Sequence, residues 1–256
     1  MAGPSVTLTA IPRIPLIQAG DDLANILVGA IEAARLSLQN QDVLVLAQKI
    51  VSKAEGRYVD LAEIRPSMRA RELAAAVDKD PRFVEVVLSE STEVVRYRKD
   101  VLIVAHRLGF VMANAGVDQS NIEHPDGKER VLLLPRDPDA SCAALKARLD
   151  AHFHAQVGVI INDSFGRAWR NGVVGVALGA AGLPAILDMV GVPDLFGRNL
   201  RVTQVALADE IAAAASLVMG QAGEGLPAVL VRGLNWKAPA STAAALLRPK
   251  QLDLFR

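Results

Sequence analysis

The sequence predicts a mixed fold of α-helices and β-strands. Short apolar runs rich in Val, Ile and Leu alternate along the chain with longer segments in which apolar residues recur every three or four positions. Runs of the first kind are typical of buried strands, and the spacing in the second kind is typical of amphipathic helices. No internal repeat, low-complexity tract or flexible linker divides the 256 residues. We therefore expect a single domain over 1–256, in which any two lobes interleave in sequence.

The predicted strands are apolar or alternating runs that stop at glycine, proline or polar residues. The run 157–161 shows the pattern most clearly, because it ends abruptly at the polar residues 162–164. The glycine-containing window 173–192 is the most membrane-like, but Pro184 and Asp188 favour a buried strand, turn and strand. The other strands are expected near 5–12, 43–46, 93–98, 101–105, 109–113, 131–135 and 227–232.

The predicted helices carry apolar residues at helical spacing, as Leu23, Ile26, Leu27 and Ile31 do in the first of them. Side chains that can accept hydrogen bonds from free backbone N–H groups mark three of the helix starts. From 233 onward we expect an irregular arm with a short helix. The helices and their expected caps are 22–37 with Asp21 or Asp22, 66–78, 81–90, 140–154 with Asp139 or Ser141, and 204–219 with Thr203.

Composition narrows the classes of function. The 28 Lys and Arg residues balance the 28 Asp and Glu residues, so no global field recruits nucleic acid or an anionic membrane surface. A single cysteine, Cys142, excludes an internal disulfide and any multi-cysteine metal site. The N-terminal stretch lacks a basic leader followed by a long apolar core, so no secretory signal is expected. We expect a soluble, cytoplasmic protein that binds neither nucleic acid nor membranes.

The stretch with the most chemically active side chains follows the run 157–161. Asp163 offers carboxylate oxygens to a magnesium- or manganese-type ion, and the Ser164 hydroxyl can add another ligand. Arg167 and Arg170 can neutralise phosphate or carboxylate groups. Taken alone, a strand followed by an Asx-capped turn with solvated arginines explains these residues equally well.

Two other predicted strand ends carry similar side chains. In 48–57, Lys53 can place a point charge on an oxyanion, although a solvated basic turn is the simpler explanation and no P-loop motif is present. In 114–121, Asp118 can bind a metal, and Asn121 can donate to and accept from a nucleotide base or sugar. An Asx-rich loop is the alternative for this second segment.

A fourth segment, 220–226, links a helix to a strand and is rich in glycine. It can wrap a polyphosphate or supply a metal ligand, and a helix C-cap followed by a turn is the alternative. Together, the segments 48–57, 114–121, 162–170 and 220–226 indicate one site assembled from distant parts of the chain. Asp118 and Asp163 can hold divalent cations while lysine and arginine neutralise phosphate oxygens. The residues alone therefore indicate metal-dependent phosphate chemistry.

Several strings occur together, in order, from about residue 14 to 235. They are QKIVSKAEGR, ANAGVDQSNI, INDSFGRAWRNG with GVALGAAG, DLFGR, ADEIAAAASLVMGQAGEG and LPAVLVRG. In this combination the chain resembles the coenzyme F420-0:L-glutamate ligase (gamma-glutamyl ligase, CofE) family, in its form without a nitroreductase-like extension. The resemblance implies an α+β fold of mixed sheets and helices in two interleaved lobes. It also implies a homodimer whose site lies near the interface.

The resemblance implies a GTP-dependent amide ligase that adds L-glutamate to the deazaflavin precursor F420-0 through an acyl phosphate. Further γ-linked glutamates can follow the first. The implied cofactors are two divalent ions, magnesium or manganese, with GTP as co-substrate, and a monovalent cation such as potassium is a further candidate. Lys53, Asp118 and Asp163 are the catalytic candidates. The alternative is a metal-dependent phosphohydrolase that acts on a nucleotide or another phosphoester.

The family pattern also assigns ligands residue by residue. Gln221 stands where relatives often have a glutamate that binds the second metal, so Glu224 is the substitute candidate. Arg167 and Arg170 are the candidates for contacts with the substrate carboxylate or phosphodiester. The implied metal ligands are Asp118, Asp163, Ser164 and Gln221. The implied GTP-binding residues are Ile14, Pro15, Leu16, Ile17, Gln48, Lys53, Asn121, Gly220, Gln221, Ala222, Gly223, Glu224, Gly225 and Leu226.

Overall fold

The structure is a computed structural model and describes residues 3–124 and 127–255. It contains helices together with mixed and antiparallel sheets, so the predicted α+β class is confirmed. The strands are β1 (Thr7–Ala10), β2 (Val43–Ala47), β3 (Tyr58–Asp60), β4 (Ser91–Arg98), β5 (Val101–His106), β6 (Val111–Ala113), β7 (Arg130–Leu132), β8 (Gly158–Arg167), β9 (Arg170–Ala181), β10 (Leu187–Asp188), β11 (Gln204–Val205) and β12 (Ala228–Arg232). The helices are α1 (Leu23–Ala33), α2 (Gln48–Ala54), α3 (Met68–Val77), α4 (Pro81–Ser89), α5 (Pro138–Phe153) and α6 (Leu207–Met219).

The central sheet has the strand order β1-β12-β2-β8-β9. β2 and β8 pair in parallel, and the other neighbouring strands pair in antiparallel fashion. Side chains alternate across the sheet, so Val43 and Val45 pack on the side of α6, while Leu44 and Leu46 pack on the side of α1 and α5. Because apolar residues fill both faces, the parallel pair lies between two helical layers.

A smaller antiparallel sheet has the order β4-β5-β6. Helices α3 and α4 cover it, and Phe83 and Val84 of α4 pack in one cluster with Leu102 and Val104 of β5. Within the described chain, this apolar cluster draws on residues between 59 and 133, whereas the central sheet is built from segments before and after them. The division of the domain into two interleaved lobes stays a prediction.

The strand predicted to end at residue 161 continues. β8 runs on through the polar residues 162–164 to Arg167. Backbone pairing explains the difference, because β9 lies alongside and keeps the N–H and C=O groups hydrogen-bonded after the side chains become polar. A register shift between Ile161 and Asn162 places an irregularity of the bulge type at this change. Residues 162–164 therefore lie in a strand, and the Asx-capped turn is wrong.

The segment 48–57, predicted as a basic turn, is mostly helical. α2 follows β2 without a break, and its buried side chains include Ile50 and Val51. Lys49 and Lys53 lie four residues apart and therefore share one face of this helix. The predicted cap of the first helix is confirmed, since Asp22 accepts a hydrogen bond from a backbone N–H of α1.

Two other predicted helix caps are wrong. α5 begins earlier than expected, and Asp137 caps it in place of Asp139 or Ser141. Asp139 instead accepts backbone N–H groups from β9 and from the C-terminal arm, residues 233–255. Thr203 does not cap α6, because β11 intervenes and the helix begins without a side-chain cap.

The window 173–192 forms most of β9, a turn and β10, so the predicted strand-turn-strand arrangement is confirmed. Within 3–124 and 127–255, the structure has no helix with the length and apolar character needed to cross a membrane.

Gly175 allows α6 to lie directly against β9. A Cβ atom at this position would collide with the Ala212 carbonyl oxygen, the Ser216 hydroxyl and the Asn162 side chain. Because α6 ends at Met219, directly before Gly220, its position on the sheet determines where the following loop begins. The close approach at Gly175 thus positions a loop that lies on the candidate site.

We expect Gly175→Ala to lower the free energy of unfolding by about 1–3 kcal/mol, the usual range for overpacking a well-packed interior. Gly166→Ala is the matched control, because a Cβ at Gly166 of β8 meets no atom within 4 Å. Urea denaturation measures both variants against the wild type. Equal stability of the Gly175→Ala protein would show that the α6–β9 contact has room to relax.

Candidate active site

A cavity of about 480 Å³ opens at the carboxyl end of β2, beside residues 162–164 of the parallel strand β8. Crevices beyond the carboxyl ends of parallel strands are frequent ligand sites in proteins with such sheets. All four segments singled out in the sequence contribute to this cavity. Its lining consists of 14–17, 47–50, Lys53, 121–123, 162–164, Ser216 and 219–227.

Asp163 lines the cavity just beyond the irregularity in β8. Burial and the nearby Asp118 carboxylate raise the pKa of Asp163 to about 7, against the opposing effects of the Ser164 N–H and the Lys49 charge. At neutral pH the chain alone therefore leaves this carboxyl only partly ionised. A cation bound in the cavity would favour the carboxylate form.

Asp118 lies beside the cavity and is held by Lys49. The Lys49 Nζ is 2.7 Å from Asp118 Oδ2 and donates to the Ser120 Oγ at 2.8 Å. The Ser120 backbone N–H donates to Asp118 Oδ1 at 2.8 Å. Burial alone would raise the pKa of Asp118, but the Lys49 and Ser120 contacts outweigh it and lower the pKa below its usual value. Asp118 is therefore a stable negative charge next to Asp163.

Lys53 connects three parts of the site. Its Nζ donates to the Asn121 carbonyl oxygen at 2.7 Å, and the Asn121 Nδ2 donates to the Ala222 carbonyl oxygen at 3.0 Å. Burial lowers the pKa of Lys53, and the charge of Lys49 lowers it further, while Glu123 opposes the change. The hydrogen bonds link α2 and the 114–121 segment to the 220–226 loop.

The 220–226 loop brings Gln221 next to Ser164, whose Oγ donates to the Gln221 Oε1 at 2.7 Å. Glu224 folds back over its own loop and accepts the Ala222 N–H at 2.8 Å. Gly220 has a φ of 76°, a backbone conformation that favours glycine. A Cβ at this position would also collide with the Glu224 carboxylate, so both the backbone and the packing exclude a side chain. Of the two candidates for the second-metal position, Gln221 is the one beside Ser164.

The oxygen donors suit a hard divalent cation. The Asp163 carboxylate, the Ser164 hydroxyl and the Gln221 amide oxygen are side-chain groups of the lining, and the Asp118 carboxylate adjoins them. The part of the chain that the structure describes has no cluster of three or more His, Cys, Asp or Glu side chains able to hold a metal. Mg²⁺ is commonly bound through one or two carboxylates, with water and substrate phosphates completing its shell. The residues therefore fit a magnesium- or manganese-type ion that binds together with a phosphate-bearing substrate.

Not every predicted site residue reaches the cavity. Arg167 and Arg170 lie outside its lining, close to the tip of the β8–β9 hairpin. Lys49 was not among the residues predicted from the sequence, although it lines the cavity and holds Asp118. The available signal was its spacing of four residues from Lys53, which has meaning only once 48–57 is recognised as a helix.

The model of the family described as F420-0:Gamma-glutamyl ligase matches residues 12–233 of the chain. The chain belongs to this family. Among its relatives, the coenzyme F420:L-glutamate ligase of Methanothermobacter thermautotrophicus is 46% identical over 253 residues, which cover 98% of this chain and 99% of the relative. The enzymes of the same name from Methanopyrus kandleri and Archaeoglobus fulgidus are 46% and 43% identical, each over at least 96% of both chains.

Membership in the F420-0:gamma-glutamyl ligase family confirms the resemblance seen in the sequence. Every residue that this resemblance implied for GTP lines the cavity at the end of β2. Three of the four implied metal ligands line it as well, and Asp118 adjoins them. The structure thus gathers these residues in one place, and their individual roles stay predictions.

The Asp163→Asn substitution removes a carboxyl group that burial makes harder to ionise. A raised pKa means that stability falls as the pH rises from about 4 to about 7, and the full penalty is present above pH 7. At pH 8 in EDTA we expect the variant to gain about 1–3 kcal/mol in free energy of unfolding. Mn²⁺ should raise the Tm of the wild type more than that of the variant.

Differential scanning calorimetry at pH 5 and pH 8, with EDTA or Mn²⁺, checks both expectations. Asp100→Asn serves as the control, because Asp100 is exposed and outside the cavity. A Mn²⁺-induced shift of equal size in wild type and Asp163→Asn would contradict metal binding by Asp163.

Proposed function

We propose that this chain joins L-glutamate to the terminal carboxylate of the deazaflavin precursor F420-0 in a reaction driven by GTP. The family match over 12–233 and the names of the relatives support the glutamate ligase activity. The observation that carries the nucleotide part is the cavity in which Lys49, Lys53 and Asp163 meet from separate segments. Cationic side chains and a metal-binding carboxylate are the parts that phosphoryl transfer requires.

The cavity has the size and lining expected for a nucleotide. Its volume of about 480 Å³ lies within the usual range for sites of small molecules and cofactors. Apolar side chains such as Ile14 and Leu16 can cover a base, while Lys49 and Lys53 can neutralise phosphate oxygens. The Ser164–Gln221 and Asn121–Ala222 hydrogen bonds hold the 220–226 loop across the lining, where it can exclude water.

The lysines bind and orient the phosphates in the proposed reaction. The Asn121 carbonyl oxygen holds the Lys53 ammonium group, and Asp118 fixes the position of Lys49. Divalent ions held by Asp118, Asp163, Ser164 and Gln221 would neutralise charge on the transferring phosphoryl group. The acceptor carboxylate oxygen attacks the γ-phosphorus, the bond to the β-phosphate oxygen breaks, and an acyl phosphate and GDP result. The glutamate amine then attacks the acyl carbon, loses a proton, and phosphate leaves.

A homodimer in the cytoplasm and the addition of further γ-linked glutamates belong to the same proposal. Leu195 and Phe196 at the turn 194–197 are 98% and 94% exposed. Apolar side chains left in solvent in this way are typical of a surface covered in an oligomer. The family resemblance supports the dimer independently of these side chains.

Incubation with GTP, Mn²⁺, L-glutamate and F420-0, followed by mass spectrometry, tests the proposed function. We expect a product heavier by one or more glutamyl units, together with GDP. GDP formation that needs no F420-0 and gives no heavier product would favour the metal-dependent phosphohydrolase. Product formed equally well without any nucleotide would contradict the GTP requirement.

We expect Lys53→Ala to lower kcat/KM for GTP by about 100-fold, as is usual when a charge that stabilises a transferring phosphoryl group is removed. Lys99→Ala is the matched control, because the Lys99 side chain is 73% exposed, pairs with the exposed Asp78 and lies outside the cavity lining. Steady-state assays of GDP release measure both variants. Unchanged turnover of Lys53→Ala would exclude a phosphate contact by Lys53.

A further inference from the structure

An exposed tryptophan stands at the tip of the β8–β9 hairpin. Residues 168 and 169 connect the two strands, and the Trp169 side chain is 85% exposed. Its backbone has a φ of 63°, a conformation that bulky residues rarely adopt. Solvent exposure of so large an apolar ring is unfavourable unless the ring meets a partner. A strained backbone that presents an aromatic ring to solvent suggests a binding role.

The C-terminal arm brings a second ring and further positive charge to this tip. The Phe255 ring centroid lies 6.2 Å from that of Trp169, at an interplanar angle of 53°. The Arg248 guanidinium lies 6.0 Å from the Phe255 ring centroid. Arg170 follows Trp169 directly and is exposed. We call Trp169, Arg170, Arg248 and Phe255 the aromatic-basic patch.

Arg167, at the end of β8, supplies the clearest sign of a missing anionic partner. Its Nη1 is buried and has no hydrogen-bond partner among residues 3–124 and 127–255. A buried guanidinium nitrogen without a partner is costly, and a phosphate or carboxylate oxygen is the partner that guanidinium groups bind best. Arg167 lies on the strand between Asp163 and the patch.

The hairpin joins the patch to the cavity. Trp169 lies six residues beyond Asp163, so the distance along the extended chain is at most about 20 Å. A ligand that reaches both points must be elongated, with its reacting carboxylate at one end and a planar ring at the other. An anionic group between the two ends would meet Arg167.

We propose that the aromatic-basic patch binds the planar ring of the acceptor substrate, with Trp169 stacked on the ring and Arg167 bound to the phosphodiester of the tether. This inference rests on the proposed function, because the deazaflavin precursor has a ring, a phosphodiester and a terminal carboxylate in that order. Stacking on an aromatic side chain accepts planar rings of many kinds, and the arginine contacts select an anionic tether. The patch therefore recognises the acceptor by the end that does not react.

Steady-state kinetics of glutamyl transfer by Trp169→Ala test the stacking contact. We expect the KM for F420-0 to rise about tenfold, in line with the loss of one ring-stacking contact. The kcat and the KM for GTP should stay within about twofold of the wild type, because the patch lies outside the nucleotide cavity. Trp169→Phe should recover most of the affinity. Tyr97→Ala, which removes an exposed ring from β4, outside both the patch and the cavity, should leave all three parameters unchanged.

A second acceptor separates ring binding from a structural effect. An acceptor analogue that keeps the phosphodiester and the terminal carboxylate but lacks the planar ring should be a poor substrate, with the same KM for the wild type and Trp169→Ala. A KM for F420-0 that does not change in Trp169→Ala would overturn the inference. Loss of the dimer by Trp169→Ala in analytical ultracentrifugation, with an unchanged KM for F420-0, would also overturn it. The patch would then bind a second copy of the chain. Absence of glutamylated product from the wild type would overturn the proposed function, and this inference with it.

Discussion

The candidate site depends on a carboxyl group that the fold does not neutralise by itself. Asp163 follows an irregularity in a central strand, where burial and Asp118 raise its pKa to about 7. Lys49, whose charge acts on Asp163, is already paired with Asp118 at 2.7 Å. Asp163 is therefore short of positive charge, and a divalent cation bound together with a polyphosphate would supply charge and phosphate together. The same requirement explains why lysines, carboxylates and a glycine-rich loop come together here.

The scaffold brings these groups together through ordinary packing. The parallel pairing of β2 and β8 places the start of α2 beside residues 162–164, because Ala47 at the end of β2 pairs with Asn162 of β8. The absence of a side chain at Gly175 lets α6 lie on β9, and α6 then delivers the 220–226 loop. Hydrogen bonds from Asn121 and Ser164 fasten that loop to the other segments. The side chains that line the cavity are thus held by elements whose positions follow from the apolar core.

Buried elements with a clear apolar pattern were predictable, and elements held by long-range backbone pairing were not. The strands β2 and β12 lie where their Val and Leu runs predict, because burial on both faces requires such runs. The continuation of β8 through 162–164 depends on β9, and no side chain in that stretch reveals the pairing. The convergence of four segments was predictable from their shared chemistry and from the family resemblance. The contact of Lys49 with the site could not be predicted, because it follows only from the helical geometry of α2.

Isotope transfer tests most directly whether this assembled site activates the acceptor by phosphorylation. F420-0 labelled with oxygen-18 in its terminal carboxylate is incubated with the protein, GTP, Mn²⁺ and L-glutamate, and the released phosphate is analysed by mass spectrometry. Attack of the carboxylate on the γ-phosphoryl group, followed by loss of phosphate to the glutamate amine, moves a carboxylate oxygen into the phosphate. We expect one oxygen-18 atom in each phosphate released with product. Glutamylated product accompanied by unlabelled phosphate would contradict the acyl phosphate.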